Sequence, residues 1–301
     1  MKKIAIYTAV IGGYDDIRQP KVVDERFDYY LFTDHIETDF IGVWRLMPIP
    51  YSNPDRKLVS GYVKTHPKEL LPNYDATLWM DSSILIMDDY IYKKIEELWR
   101  SDIELSSVKH PLRDCVYEEA YAILNKKYET PQRIHDWCYR LYKEGYPTHN
   151  GLFETGILFR KKDLKIDALN IEWWNCLNNN VKRDQLALNY CLWKTDINTA
   201  YILPEKEHSR NSSHFNFIQH VYGVKKKLTK QTLLQRFTTF IRNRVPNMNI
   251  WYKMFLKSIH RPYKYNSIFE TIEFLICIAL LPVATYNTIF LHYELYKRTK
   301  K

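Results

Sequence analysis

The chain has 301 residues, enough for one substantial core with a smaller appendage but cramped for two full domains. Apolar residues make up 46% and charged residues 26%, a balance that excludes a disordered chain. The net charge of +9 is unevenly placed: residues 224–301 hold 15 basic and 3 acidic groups, a balance of +12, while the preceding 223 residues hold 29 basic and 32 acidic.

Residues 4–10 form a short apolar run halted by Gly12-Gly13 and read as a buried strand. With Met-Lys-Lys before it the run mimics a signal peptide, but it is short and passes into Tyr14-Asp15-Asp16 without a cleavage site, so a strand is the better reading. Residues 29–33 and 44–48 read as further strands. Residues 56–71 have helical character, with Pro67 either ending the helix or starting a new turn. Residues 77–80 read as a strand that delivers Asp81 to its C-terminal end. A helix at 91–99, a strand at 105–108 and helices at 116–127 and 131–144 follow, the last with Thr130 as N-cap and Pro131 in first position. Residues 155–160 read as a strand, and 164–178 and 184–194 as helices. Strands alternating with helices predict an α/β fold with an open, mainly parallel sheet. Ligands of such sheets sit beyond the carboxyl ends of the strands, where Asp81 and the loop of Thr8, Ala9 and Tyr14 are expected.

The remaining residues, 226–301, differ in character and are read as a separate basic helical tail. Leu233, Leu234, Phe237, Phe240 and Ile241 share one helical face, with Lys230, Arg236, Arg242 and Arg244 elsewhere. Residues 274–291 are 18 positions without a charge, interrupted by Pro282. That length is the lower limit for spanning a bilayer. A helix lying in the membrane interface suits the basic amphipathic pattern better, and a helical subdomain packed on the core is the alternative. The tail's apolar run and the lack of a nucleic-acid module argue against a nucleic-acid partner. The five cysteines are odd in number and show no CxxC spacing, which argues against a disulfide framework or zinc site. The expected location is cytoplasmic, peripheral or monotopic at the inner face of the cell membrane. Tyrosine is abundant at 24 and tryptophan reaches 8, a wealth that suits either sugar stacking or ordinary packing.

Four segments carry candidate chemistry. Trp79-Met80-Asp81-Ser82-Ser83 places a carboxylate at a strand end, the usual mark of a Mg²⁺ or Mn²⁺ ion held on a diphosphate, although an Asp there is also a common turn former. The segment resembles the DxD element of GT-A glycosyltransferases, with Ser83 at the second acidic position. Residues 150–158, containing Glu154-Thr155-Gly156, resemble the strand entry that shapes the acceptor and donor-sugar pocket of those enzymes. Arg183-Asp184-Gln185-Leu186-Ala187-Leu188-Asn189 looks like their DQxxLN-type helix start. His220-Val221-Tyr222-Gly223-Val224-Lys225-Lys226 is similar to the HxxGxxK element of family 8 glycosyltransferases. There the His ligates the metal, and the Gly and Lys contact the diphosphate.

A nearer resemblance, over residues 1–225, is to the glycosyltransferase-like domain of plant mucilage-type proteins and of bacterial polysaccharide loci. It is carried by residues 7–15, 30–34, 56–81, 110–120 and 183–194; the tail is not part of it. The resemblance implies a GT-A-like domain that takes a sugar from a nucleotide-sugar donor, UDP-sugar favoured, to a glycan or lipid-linked acceptor of surface polysaccharide. It implies Mn²⁺ or Mg²⁺ held by Asp81, Ser83 and His220, and a nucleotide-sugar site of Thr8, Ala9, Tyr14, Arg56, Lys64, Asp81, Gly223 and Lys226. Glu154, Thr155, Gly156 and Gln185 would form the acceptor and sugar pocket.

Ser83 departs from the pattern, because a hydroxyl cannot replace a carboxylate as a strong ligand for a hard cation. Either Asp81 and His220 hold the metal with the diphosphate, or Arg56, Lys57 and Lys64 supply the charge; the alternative for these three is a solvated helix face. Asp184 is the candidate nearest the reacting centre, as general base or sugar orienter, and an N-cap role fits its position equally. His110–Asp114 with Glu118 and Glu119 are placed on the acceptor side, or the two glutamates answer the helix dipole. His208 and His214 are the alternatives to His220. A non-catalytic nucleotide-sugar- or glycan-binding scaffold is the competing function.

Overall fold

A computed structural model describes residues 3–218. In chain order the elements are β1 (Ile4–Val10), β2 (Asp28–Thr33), β3 (Phe40–Ile41), β4 (Trp44–Pro48), α1 (Arg56–Thr65), α2 (Pro67–Leu70), β5 (Ala76–Met80) and β6 (Ile84–Ile86). There follow α3 (Tyr90–Arg100), β7 (Leu105–Lys109), α4 (Val116–Asn125), α5 (Pro131–Lys143), β8 (Phe153–Lys161), α6 (Leu164–Asn179), α7 (Asp184–Trp193), β9 (Thr199–Tyr201) and β10 (Phe215–Phe217). Pro67 does both things expected of it. Its missing N–H lets α1 end at Thr65, and its fixed φ opens α2. Thr130 caps α5, its hydroxyl accepting from Arg133 N at 3.4 Å.

Eight strands form one sheet in the order β3-β4-β2-β1-β5-β8-β7-β9, and β6 pairs with β10 as a separate antiparallel ribbon. Strands β4, β2, β1 and β5 are parallel, as are β7 and β9. This is the α/β architecture the alternation predicts, a mainly parallel sheet with helices against it. Strand β1 is buried along its whole length, as a strand covered on both faces must be. On one side Ile6, Leu78, Ile157 and Phe159 join Ile91, Ile95 and Leu98 of α3 in the main apolar cluster. Helix α1 packs on β1 and α6, and α7 packs on α6 and β8.

Strand β8 is the departure, running antiparallel to both β5 and β7. Apolar periodicity reports that a segment is a strand, not which way it runs. The reversal matters because Met80 pairs with Ile157, which sets the start of β8 beside the C-terminal end of β5. Asp81 N donates to Gly156 O at 2.8 Å, and the residues around 154–156 meet Asp81. A Cβ at Gly156 would lie 2.8 Å from Ile84 Cδ1 and 3.3 Å from Asp81 Oδ2, so a side chain there would press on Ile84 and the Asp81 carboxylate.

The expected boundary at 225/226 and the tail segments, including 274–291, lie outside the described residues. Among the described residues no helix is long and apolar enough to cross a membrane. Cys115, Cys138, Cys176 and Cys191 are free thiols, and Cys277 lies outside the described residues.

Candidate functional site

A cavity of about 420 Å³ opens at the carboxyl edge of the sheet, within the range of small-ligand sites. Its walls come from the end of β1 and the loop after it (Ala9 to Asp15), from α1, from residues between Trp79 and Ile84, from the start of β8 and from the start of α7. At its centre the Lys64 ammonium lies 2.5 Å from Asp184 Oδ2 and 3.3 Å from Asp81 Oδ1. Only 5% of the Lys64 side chain is exposed, against 41% for Asp81 and 28% for Asp184. The lysine is therefore sealed behind two acids that face the opening. Trp79 Nε1 donates to Asp81 Oδ1 at 2.8 Å, and the Lys64 ammonium lies 5.2 Å from the Trp79 ring centroid. Thr155 Oγ1 donates to Asp184 Oδ2 at 2.7 Å, and Gln185 N donates to Asp184 Oδ1 at 3.1 Å.

The three charges tune one another. Burial opposes ionisation of Asp184, but the Lys64 and Arg183 charges and the hydrogen bonds from Lys64 and Thr155 outweigh it, holding this carboxyl well below the usual range. Burial raises Asp81 and the Asp184 charge adds to the rise, outweighing the pull of Lys64. Burial would lower Lys64, yet the two carboxylates more than reverse that and keep it charged. An acid held so far down is a poor proton acceptor near neutrality, since an effective base has a pKa close to the working pH. The hydrogen bonds that Asp184 takes from Thr155 and Gln185 hold its carboxylate in one orientation, as the orienting role requires. The N-cap reading is corrected too: Arg183 occupies the cap, and Asp184 is the first helical residue.

Around this centre the cavity is cationic. Its lining holds six basic residues (Arg56, Lys57, Lys64, Lys182, Arg183, Arg210) against four acids (Asp15, Asp81, Glu154, Asp184). Arg56 donates to Gly12 O at 3.3 Å, Lys57 to Tyr128 O at 3.2 Å, and the Arg183 guanidinium lies over the Tyr128 ring. Lys182 is ion-paired with Asp55. On the opposite wall Glu154 is 4% exposed, takes Ser209 Oγ at 2.7 Å on Oε2 and meets Arg210 at 3.3 Å through Oε1. Sequence reading missed Lys182, Ser209 and Arg210. Lys182 was legible as a cation flanking the Asp184 segment, but Ser209 and Arg210 reach the site only through a loop that no periodicity marks.

Ala9, Tyr14, Arg56, Lys64, Asp81, Ser83, Glu154, Thr155, Gly156, Asp184 and Gln185, all expected at the site, line this one cavity. Thr8 is buried and lines a small neighbouring recess instead. Lys64 departs from its expected duty, for its charge is committed to two acids. His220, Gly223 and Lys226 lie outside the described residues. The described chain ends at Ile218, whose N–H donates to Ser83 O at 2.8 Å.

The acceptor-side reading of the 110–114 loop is corrected. Glu119 is buried and binds Arg113 Nε at 2.5 Å and His110 Nε2 at 3.4 Å, while His110 Nδ1 accepts from Leu112 N and Arg113 N. Burial, with Arg113 beside it, pushes His110 down to about 4, and the group locks its own loop to α4 without lining the cavity. His214 is taken up by Asp88 at 2.7 Å and stacks on Tyr90, clamping the β6–β10 ribbon; neither it nor His208 lines the cavity.

For a metal ion, no group of three or more His, Cys, Asp or Glu side chains is suitably placed among the described residues. Both hydrogen-bond donors to the Asp81 carboxylate go to Oδ1, leaving Oδ2 toward Gly156, with Ser83 in the same cavity wall. One carboxylate oxygen and hydroxyl donors fit a hard ion only of the kind completed by water and substrate phosphates.

Fold and site together define an α/β domain with a cationic cavity at the carboxyl edge of a mainly parallel sheet, centred on an acid–lysine–acid cluster. The chain belongs to the family of the TOD1/MUCI70 glycosyltransferase-like domain, whose model matches residues 1–211. It is 22% identical over 223 residues to the alkaline ceramidase TOD1 of Arabidopsis thaliana, covering 62% of this chain and 47% of that protein. The chain thus spans about half the length of this curated relative. Similar solved structures include the apo form of the bifunctional glycosyltransferase WbbM, with a TM-score of 0.41, 11% identity, and coverage of 67% of this chain and 39% of that one. Another is the galactosyltransferase LgtC in complex with donor and acceptor sugar analogues, with a TM-score of 0.37, 15% identity, and coverage of 65% and 72%.

Proposed function

We propose that this protein transfers a sugar from a nucleoside-diphosphate donor to a glycan or lipid-linked acceptor in surface-polysaccharide synthesis, with UDP-sugars favoured. The observation that carries the proposal is the cavity itself, whose basic excess suits a diphosphate and whose acids suit sugar hydroxyls. Arg56, Lys57 and Arg183 bind and neutralise the donor. Asp184, kept ionised by Lys64 and Thr155, accepts hydrogen bonds from the donor sugar and stabilises positive charge developing at its anomeric carbon. Mn²⁺ or Mg²⁺ would be held by Asp81 Oδ2 and Ser83 together with phosphate oxygens, and would supply neutralisation of the leaving diphosphate. The family assignment supports this class of reaction. The basic tail would keep the protein at the cytoplasmic face of the membrane, close to its acceptor.

The relative named a ceramidase cleaves, by that name, an amide in a lipid. Amide cleavage needs an activated nucleophile or a metal-activated water. Among the described residues the cavity is lined by no histidine to activate Ser60, Ser82, Ser83 or Ser209. The match to a glycosyltransferase-like domain over residues 1–211 favours transfer. The test is thermal stabilisation by a panel of nucleotide sugars with and without Mn²⁺, followed by turnover of any donor that binds, with ceramide hydrolysis as a parallel arm. A stabilising donor whose turnover is lost in Asp184→Asn supports transfer. Binding without turnover on any acceptor favours the scaffold, and ceramide cleavage in place of transfer overturns the proposal.

A further inference from the structure

Arg160 is a buried charge without an acidic partner. It sits within β8, is 1% exposed, and all its hydrogen bonds go to neutral acceptors: Asn170 Oδ1 at 2.6 Å, Tyr7 Oη at 2.5 Å and Lys64 O at 2.7 Å. Its Nε has no hydrogen-bond partner. A buried guanidinium without a carboxylate destabilises a fold relative to an apolar residue of like size. Its contacts show what it does instead. Lys64 lies in the last turn of α1, where carbonyls have no further helical N–H to accept from, and Pro67 has no N–H to offer. Arg160 fills that gap from the sheet, and Tyr7 Oη donates to the same Lys64 carbonyl at 3.1 Å. The Tyr7 ring also packs edge-on against Trp79 at 5.2 Å, the ring over which the Lys64 ammonium sits.

We infer that Arg160 and Tyr7 are positioning residues: together they grip the Lys64 carbonyl from the sheet and so hold its ammonium between Asp81 and Asp184. Neither touches the cavity. They act on it through one backbone atom, which converts the rigidity of β1 and β8 into a fixed place for a side chain at a helix end. The importance of Lys64 for sugar transfer rests on the proposed function; its placement by Arg160 and Tyr7 does not.

The test reads that placement directly. The full-length protein is treated with limiting acetic anhydride, and acetylation of Lys64 is measured by peptide mass spectrometry against the exposed Lys68 and Lys93. Acetic anhydride reaches only an accessible amine, and the native Lys64 side chain is 5% exposed behind Asp81 and Asp184, so labelling reports its displacement from between them. Lys64 should be protected in the native protein and labelled several-fold faster in Arg160→Met, with Lys68 and Lys93 unchanged. Tyr7→Phe, which deletes one hydroxyl without changing ring packing, should give a smaller rise, and Arg160→Lys should restore part of the protection. Amide exchange in β5 is followed in parallel. Unchanged Lys64 labelling in folded Arg160→Met and Tyr7→Phe would overturn the inference. So would a rise accompanied by equal loosening of β5, because that marks a general structural role. A native protein that binds no nucleotide sugar sinks the transferase reading and leaves this result standing.

Discussion

Lys64→Met leaves Asp81 and Asp184 facing each other without their shared cation, and the consequence can be worked from the geometry. The ammonium is 2.5 Å from one carboxylate and 3.3 Å from the other, so the two acids lie no more than about 6 Å apart. At an effective dielectric near 20, two like charges at that distance repel by about 3 kcal/mol, or about 2 pKa units. The side chains are 41% and 28% exposed, and water in the cavity reduces this to about half. With the lost attraction included, the variant should be about 2 kcal/mol less stable at pH 7, a fall in melting temperature of about 4 to 8 °C. The pH dependence carries the sign. In the native protein Asp184 is depressed, so its contribution is present above its unfolded pKa and fades as pH falls through the folded value. Lys64 is raised, so its contribution holds below its unfolded pKa and is lost only in alkali. Asp81 is raised and works the other way, favouring the fold more as it protonates. Removal of Lys64 raises both acids, so the deficit of Lys64→Met should shrink as pH falls from 7 to 5. Calorimetric melts of both proteins across that interval check it. A deficit independent of pH, or none, would refute the account of a cation shared between two acids.

Asp81→Asn should leave folding intact and abolish the extra stabilisation that Mn²⁺ lends to UDP binding, measured by calorimetric titration with and without the ion; a full metal effect in the variant would remove Asp81 from the ion's ligands. Gly156→Ala presses a methyl toward Ile84 and Asp81 Oδ2, and overpacking of this kind costs about 1 to 3 kcal/mol. Chemical denaturation should report that loss, accompanied by weaker UDP binding. Removal of residues 230–301 should release the protein from vesicles containing anionic lipid, since each exposed basic residue contributes about 1 kcal/mol there; unchanged co-sedimentation would rule out the tail as the anchor.

Much of the fold was legible because local pattern and local structure coincide. The apolar run at 4–10 and the strand at 44–48 match the observed bounds. The break at Pro67 and the cap at Thr130 follow from single-residue chemistry. Two-residue β3 and three-residue β9 were not legible, for a period cannot be read from so few positions. The same holds for β10, which exists by pairing with β6.

The sequence by itself determined the α/β class, the acids at a strand end and a helix start, and the basic character of the tail, all of them properties of neighbouring residues. Only the tertiary structure decided that Lys64 and Asp184, 120 positions apart, form an ion pair with Asp81 beside it. The same folding reversed β8 so that Gly156 meets Asp81, and placed Arg160 and Tyr7 behind the helix that carries the lysine. The physical reason is that charge partners are chosen by distance in space, and strand direction by the path of the connection, neither of which is written in the spacing of residues.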